Sequence, residues 1–543
     1  MVQGIVQTGF AARMRVDLRD AAADEPLVEA GPLRLALRMA GRRPGLERYD
    51  RDAGNYLAFP MPDGSCPVVE ATLAGLRVGI PLGLLARPGG VHDVEVRVAG
   101  SRFSIALDGH VDDDMLSVPS LEADLDAPRT LSPRVASVRV SVPAEPDAPG
   151  RIPDARPIAR SIQYWTPDGH DAWVGDVAPG FYGGRLHLFY LFDRRHHGSK
   201  GGAGGHAFAH LSTPDLVHWD EHPDAVPVEG WWETVGTGTP FVHEGRLCLA
   251  YGLHTERLSK DPGLPAGATY AVSEDGVRFR KTGRIVHPTR NPTVYNRPDG
   301  LLGLAAGYAG ESGLWKSGRI GGWTLCDGTL PTRGDCPCPF EWNGHRYVFQ
   351  GFGGFAHGVT GGPGTWEDWA AAGLAPYDGL SVPMVAPFGE NRRILAGWLG
   401  FLAPAWWGGW LVFRELVQFP DGTLGTKWVP EIEPPSPPET FAARADRPLR
   451  VAFPRADAGG PALVFALDPA ARTASFADDV PDPRFGSLHS ANNVRIGNLP
   501  AFASDVARIV RHWDPKAGAT VFDAEIGGVR TLICRRKGRF TAP

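Results

Sequence analysis

Residues 182–191 read YGGRLHLFYL, a glycine turn followed by a strand-length run of apolar and aromatic residues. The same arrangement returns as HEGRLCLAYG at 243–252, RPDGLLGLAAGY at 297–308, WNGHRYVFQG at 342–351 and GENRRILAGW at 389–398. The turns fall near 183, 244, 299, 343 and 390, a spacing of roughly 45 to 60 residues that suits four-stranded propeller blades. One such hairpin cannot bury both of its faces, so neighbouring units must stack around an axis. Five repeats predict an all-β fold built on a five-bladed β-propeller. No segment carries helical periodicity over three turns.

Two proline-rich stretches bracket the repeats: VPAEPDAPGRIPDARP at 142–157 and EIEPPSPPE at 431–439. Proline removes a backbone donor and stiffens the chain, so both read as linkers. They divide the sequence into an N-terminal region 1–150, a propeller 158–433 and a C-terminal region 440–543. In VHDVEVRVAGSRFSIALDGHV at 91–111, Val94, Val96 and Val98 alternate with polar residues. After a Gly-containing turn, Phe103, Ile105 and Leu107 alternate again. That is a hairpin of period two. It resembles those of laminin-G and concanavalin-like β-sandwiches, which often bind carbohydrate. At 519–536, ATVFDAEIGGVRTLICRR reads as two strands joined at Gly527–Gly528, which predicts a C-terminal β-sandwich.

The chain has 543 residues, more than one ordinary domain holds. A formal net charge of −6 argues against nucleic acid as the main partner, because phosphate binding needs a basic surface. The opening MVQGIVQTGFAARMRVDLRD has no long apolar core and no small-residue cleavage site. No later stretch is long and apolar enough to span a bilayer, so a cytoplasmic protein without a membrane partner is expected. Six Cys in a chain this long do not read as a disulfide framework. Cys336 and Cys338 form a Cys-x-Cys pair with no second Cys/His pair nearby, and read as packing thiols rather than a metal site. Most of the 16 Trp are expected in the β core, although their flat faces also suit sugar rings.

Catalytic groups in a propeller can sit on the innermost strands, where the blades converge on a central funnel, and three segments qualify. In DAWVGDVAPGFYGGRLHLFY at 171–190, Asp176 follows Trp173 and Gly175 and precedes a Pro-Gly turn. Taken alone, an Asp before a turn is ordinarily a capping residue. The surroundings change that reading. This segment, and GGHAFAHLSTPDLVHWDEHPDAV at 204–226 with its Gly-His and its DLVHW, resemble glycoside hydrolase family 32, the invertases, inulinases and levanases. The resemblance runs in order from about 160 to 435 and closes with LVFRELVQFPDGTLGTKWVPEIE at 411–433. It implies that Asp176 is the nucleophile of a retaining glycosidase.

Two further motifs depart from that family. PTRNPTVYNRPDG at 288–300 stands where the family has Arg-Asp-Pro, whose Asp holds sugar hydroxyls and stabilises the transition state. Here the residues are Arg290, Asn291 and Pro292. Asn291 can still hydrogen-bond a hydroxyl but brings no negative charge to an oxocarbenium-like transition state. GDCPCPFEWNGHRYVF at 334–349 stands where the family has Glu-Cys-Pro, whose Glu is the acid/base; here Asp335 carries the carboxyl on a shorter arm. Gly175 and Leu191 also replace the family's Asn and Gln. By resemblance, Asp176 attacks, Asp335 serves as acid/base, and Asn291 and Arg290 hold hydroxyls. Such a mechanism needs no metal and no cofactor.

Several side chains are candidates for the sugar itself. His196 and His197 lie in FDRRHHGSK at 192–200, which reads either as a solvated charged loop or as a cationic rim for an acidic or phosphorylated sugar. His206, Trp173, Trp232, Thr237 and Trp398 complete the set, with packing between blades as the competing role for the tryptophans. The expected activity is hydrolysis of a furanoside, foremost a β-fructofuranoside, with a carbohydrate as the partner. An inverting arabinofuranosidase or xylosidase of related fold, and a non-catalytic sugar-binding protein, remain open alternatives. The sequence leaves the oligomeric state undecided.

Overall fold

The computed structural model describes residues 9–20, 24–40, 59–73, 75–99, 102–115, 128–141, 154–194, 206–228, 233–254, 267–289, 291–306, 313–327, 335–351, 355–359, 370–371, 380–400, 408–432, 439–456, 460–478, 494–496 and 499–543. Among the described residues the regular elements are β-strands and one short 3-10 turn, with no α-helix.

Five four-stranded antiparallel meanders follow one another from residue 172 to 427. Blade 1 is Ala172–Tyr182, Arg185–Arg194, Ala207–Thr213 and Asp220–Val226. Blade 2 has a split inner strand, Thr234–Val235 and Pro240–His243, then Arg246–His254, Gly267–Ser273 and Arg280–Lys281. Blade 3 begins at Thr293–Asn296, blade 4 at Cys338–Trp342 and blade 5 at Leu380–Phe388. The ring closes where Val174 of blade 1 pairs with Gly409 of blade 5, and where Trp165 bridges Leu411.

The repeated turns of the sequence are the loops between each blade's first and second strands. Gly183–Gly184, Glu244–Gly245 and Asn343–Gly344 all have both residues at positive φ. That is the two-residue hairpin turn whose twist matches the flanking strands. Three innermost strands carry a proline at the same place, three residues before the strand's end: Pro179, Pro240 and Pro339. At these prolines the inner strand has a ladder partner on one side only, and such a position tolerates a residue without an N–H.

Before the propeller, two five-stranded sheets face each other. One is ordered Val135–Ser141, Phe10–Asp17, Val91–Ala99, Arg102–Leu107, His110–Met115; the other is ordered Leu76–Pro81, Pro67–Leu73, Leu33–Met39, Glu25–Ala30, Arg129–Thr130. The alternating Val94, Val96, Val98, Phe103, Ile105 and Leu107 are buried in the core between them. After the propeller, two four-stranded sheets enclose a second sandwich core containing Phe465, Phe476 and Phe522. The predicted strands around Gly527–Gly528 are Ala519–Ile526 and Arg530–Lys537.

One expectation is corrected. Arg156–Pro157, read as the end of a linker, adds an outermost strand to blade 1 by pairing with Asp220–Glu221. The Arg156 guanidinium meets the buried Glu221 carboxylate at 2.6 Å, which fixes the chain there.

Candidate active site

The inner strand of blade 1 slips register between Val174 and Val177, so Gly175 and Asp176 form a bulge opposite a continuous partner strand. A bulge bends its strand and re-aims a side chain. Here it presents Asp176, which is 8% exposed. The Thr237 hydroxyl donates to Asp176 Oδ2. The Trp398 indole N–H donates to Oδ1 at 3.3 Å. These two donors fix the rotamer of the carboxylate.

Thr237 reaches Asp176 because blade 2's inner strand is interrupted by Thr-Gly-Thr. A Cβ on Gly238 would stand 1.8 Å from the Ala250 carbonyl oxygen, so only glycine lets the backbone pass. The flanking threonines then diverge in role. Thr237 holds the carboxylate, while Thr239 clips blade 2 to blade 3, donating to the Val294 carbonyl at 2.7 Å and accepting the Val294 N–H at 2.8 Å.

Asn291 and Asp335 meet directly. The Asn291 Nδ2 donates to Asp335 Oδ1 at 2.9 Å, and the Cys336 N–H donates to the same oxygen at 2.8 Å. Among the described residues both donors to the Asp335 carboxylate converge on Oδ1. Cys336 stands at the left-handed φ of 50°, which turns the chain sharply beneath Asp335. Its thiol is buried and lies 3.8 Å from Asn291 Nδ2. Burial pushes this thiol well above its ordinary pKa, and the nearby charges of Asp335 and Asp176 push it further, while Thr237 acts in the opposite sense. One thiol is thus close to Thr237, Asn291 and both carboxylates.

Other expected sugar contacts lie elsewhere. Trp173 is fully buried, edge-on to Trp410 and capped by the Lys516 ammonium 4.5 Å over its ring, so it packs the junction with the C-terminal sandwich. Trp398 is also fully buried and serves Asp176 through its N–H rather than walling a sugar with its face. His206 is 1% exposed and pairs through Nε2 with Asp193 Oδ1 at 3.0 Å, which stiffens the start of blade 1's third strand. Arg290, His196, His197 and Trp232 lie outside the described residues.

DLVHW, the motif closest to the family, is a turn. Asp215 Oδ1 accepts the N–H groups of Val217 and His218, and the Trp219 indole donates to the Leu216 carbonyl. Blade 2 repeats the device with Asp275, which accepts from Val277 and Arg278. The turn joins a blade's third and fourth strands, at the end away from Asp176. Cys336, read from sequence as a packing thiol, is the contact that reasoning from sequence missed; the Cys-Pro beside Asp335 was its signal.

No protein-family model matches the chain. Sucrose-6-phosphate hydrolase of Escherichia coli is 24% identical over 257 residues, 40% of this chain and 53% of that protein. Sucrose:sucrose 1-fructosyltransferase of Festuca arundinacea is 32% identical over 124 residues, 22% of this chain and 17% of that protein. The chain therefore spans about half the length of the first of these relatives and less of the second. Among solved structures, the GH32 beta-fructofuranosidase of Bombyx mori superposes with a TM-score of 0.50 at 18% identity, covering 72% of this chain and 91% of that one. The chain is family-32-like in fold. Sucrose-6-phosphate hydrolase from Lactobacillus gasseri gives the same TM-score at 15% identity, over 70% of this chain and 88% of that one. Within this family-32-like frame, the exchanges at Asn291 and Asp335 fall together, in one hydrogen-bonded pair.

Proposed function

We propose that this chain is a glycoside hydrolase that cleaves β-fructofuranosides with retention, its catalytic work carried by residues 158–433. The observation that carries this reading is the gathering of Asp176, Thr237, Asn291 and Asp335 around the buried Cys336. Asp176, positioned by Thr237 and Trp398, attacks the anomeric carbon as the glycosidic C–O bond breaks. Asp335 delivers a proton from Oδ2 to the leaving oxygen, while Oδ1 stays bound to Asn291 and the Cys336 N–H. In the second half, Asp335 takes a proton from water, the water oxygen bonds to the anomeric carbon, and the ester to Asp176 breaks. Asn291 supplies a neutral donor at this point, so the site carries two carboxylates. The relatives' names, sucrose-6-phosphate hydrolase and fructosyltransferase, support a fructosyl donor as substrate.

The stereochemical course tests this. NMR of the first turnovers on sucrose or a fructan oligosaccharide should show β-fructofuranose before mutarotation. Release of the inverted anomer would move the chain to the inverting class, and turnover confined to arabinofuranosides would overturn the fructofuranoside reading.

A further inference from the structure

The innermost strands of all five blades finish around a second opening. Pro179–Phe181, Pro240–Val242, Tyr295–Pro298, Pro339–Glu341 and Val385–Pro387 line one cavity of about 540 Å³, a volume suited to a small ligand. Asp176, Thr237, Asn291 and Asp335 do not border it. At about 3.3 Å per residue, Phe181 lies roughly 17 Å along the strand from Asp176. The cavity is therefore the far mouth of the propeller axis.

Its charge is uneven. Arg297, Arg346 and Arg393 line it, against the single carboxylate of Glu341. Arg297 is matched by Asp299 at 2.8 Å, and Arg346 stands opposite Glu341 across the strand pair. Arg393 has no such match. Its guanidinium donates to the carbonyls of Arg392 at 3.1 Å and Glu341 at 3.3 Å and lies 5.5 Å over the Trp342 ring. Among the described residues no carboxylate pairs with it. A guanidinium has five N–H donors, so these two bonds leave others for the cavity. Burial weighs against its charged form, a cost that a bound anion offsets. Tyr295 and Trp315 add flat walls on the same cavity. A cationic cavity in a chain of net charge −6 is a local feature.

We propose that this far mouth binds a small oxyanion-bearing ligand, a phosphorylated sugar or a polycarboxylate, with Arg393 as its anchor. The inference is independent of the catalytic reading, because no group in that reading touches the cavity.

Calorimetric titration of the full chain with inorganic phosphate, fructose 6-phosphate and citrate tests it. The wild type should bind at least one probe saturably, and R393M should weaken that binding tenfold or more. A sugar phosphate and a carboxylate source are told apart by which probe binds. Asp176→Asn should bind the probe as the wild type does; a loss there would place the probe in the catalytic funnel and overturn the proposal. No binding of any probe to the wild type, or equal affinity in a folded R393M, would also overturn it. If R393M does not fold, R393K decides. Lysine keeps the charge but loses the planar fork, so a fall of threefold or more supports the proposal and equal affinity contradicts it.

Discussion

At the scale of single residues, the account depends on how Asp176 is held. A hydrogen bond to a charged group contributes about 1.5–3 kcal/mol. Thr237→Val removes one such bond while keeping the side chain's shape. Its kcat should therefore fall roughly 10- to 100-fold, with the melting temperature changed far less. An unchanged kcat would mean that Thr237 only packs. Asp176 was singled out in the sequence by the resemblance of its segment to family 32, since an Asp before a turn reads by itself as a cap; the expected Pro-Gly turn is instead part of the inner strand Ala172–Tyr182, and the chain turns at Gly183–Gly184. The partners of Asp176 were less legible. Trp398 stands 222 positions away, and a sequence records no angle, so an indole that donates through its N–H looks the same as one that stacks. Trp173 and Trp398, offered from the sequence as sugar contacts with packing as the competing role, are both fully buried; a propeller core needs large flat side chains as much as a sugar site does.

At the scale of elements, blade 1 contains a stack of imidazoles. His187 Nδ1 and His210 Nε2 are 2.9 Å apart, and the rings of His210 and His222 stack at 4.5 Å. Burial lowers all three pKa values, His187 to about 4, and His210 well below the ordinary value. The unfolded chain takes up these protons near pH 6.5, whereas the folded blade does not. Stability is thus fully present above pH 6.5 and is lost as the pH falls toward 4. For His187 alone the loss is about 3 kcal/mol. Melting temperature measured across that range should drop, and His187→Phe should flatten the drop; an unchanged slope would contradict the assignment. The hairpin turns of the blades were readable because Gly-Gly, Glu-Gly and Asn-Gly each demand a special φ. The bulge at Gly175–Asp176 was not, because it is set by pairing with a strand whose register the local sequence does not specify.

At the scale of the whole molecule, the propeller is tied to the C-terminal sandwich by buried charge. Arg414 donates twice to Asp523 at 2.8 Å, and the Tyr164 hydroxyl donates to the same carboxylate at 2.7 Å. Lys516 adds hydrogen bonds to the carbonyls of Pro167 and Ala172 at 2.8 and 2.6 Å. Removing one partner of a buried pair strands the other, at about 3–5 kcal/mol. Asp523→Ala should therefore lower the melting temperature of propeller and sandwich together in calorimetry, and two separate transitions with an undisturbed propeller would contradict that coupling. The propeller repeat and both sandwich hairpins were evident from strand periodicity and turn residues. This junction was not, since Arg414 and Asp523 are 109 residues apart and nothing in either quoted segment points to the other.

The central claim is that Asp176 performs the chemistry. The direct test compares hydrolysis by the wild type and Asp176→Ala on sucrose, inulin and levan oligosaccharides and aryl arabinofuranosides. The account predicts turnover of a fructofuranoside by the wild type that disappears in the variant. Equal rates for both proteins, or sugar binding without turnover by either, would contradict it.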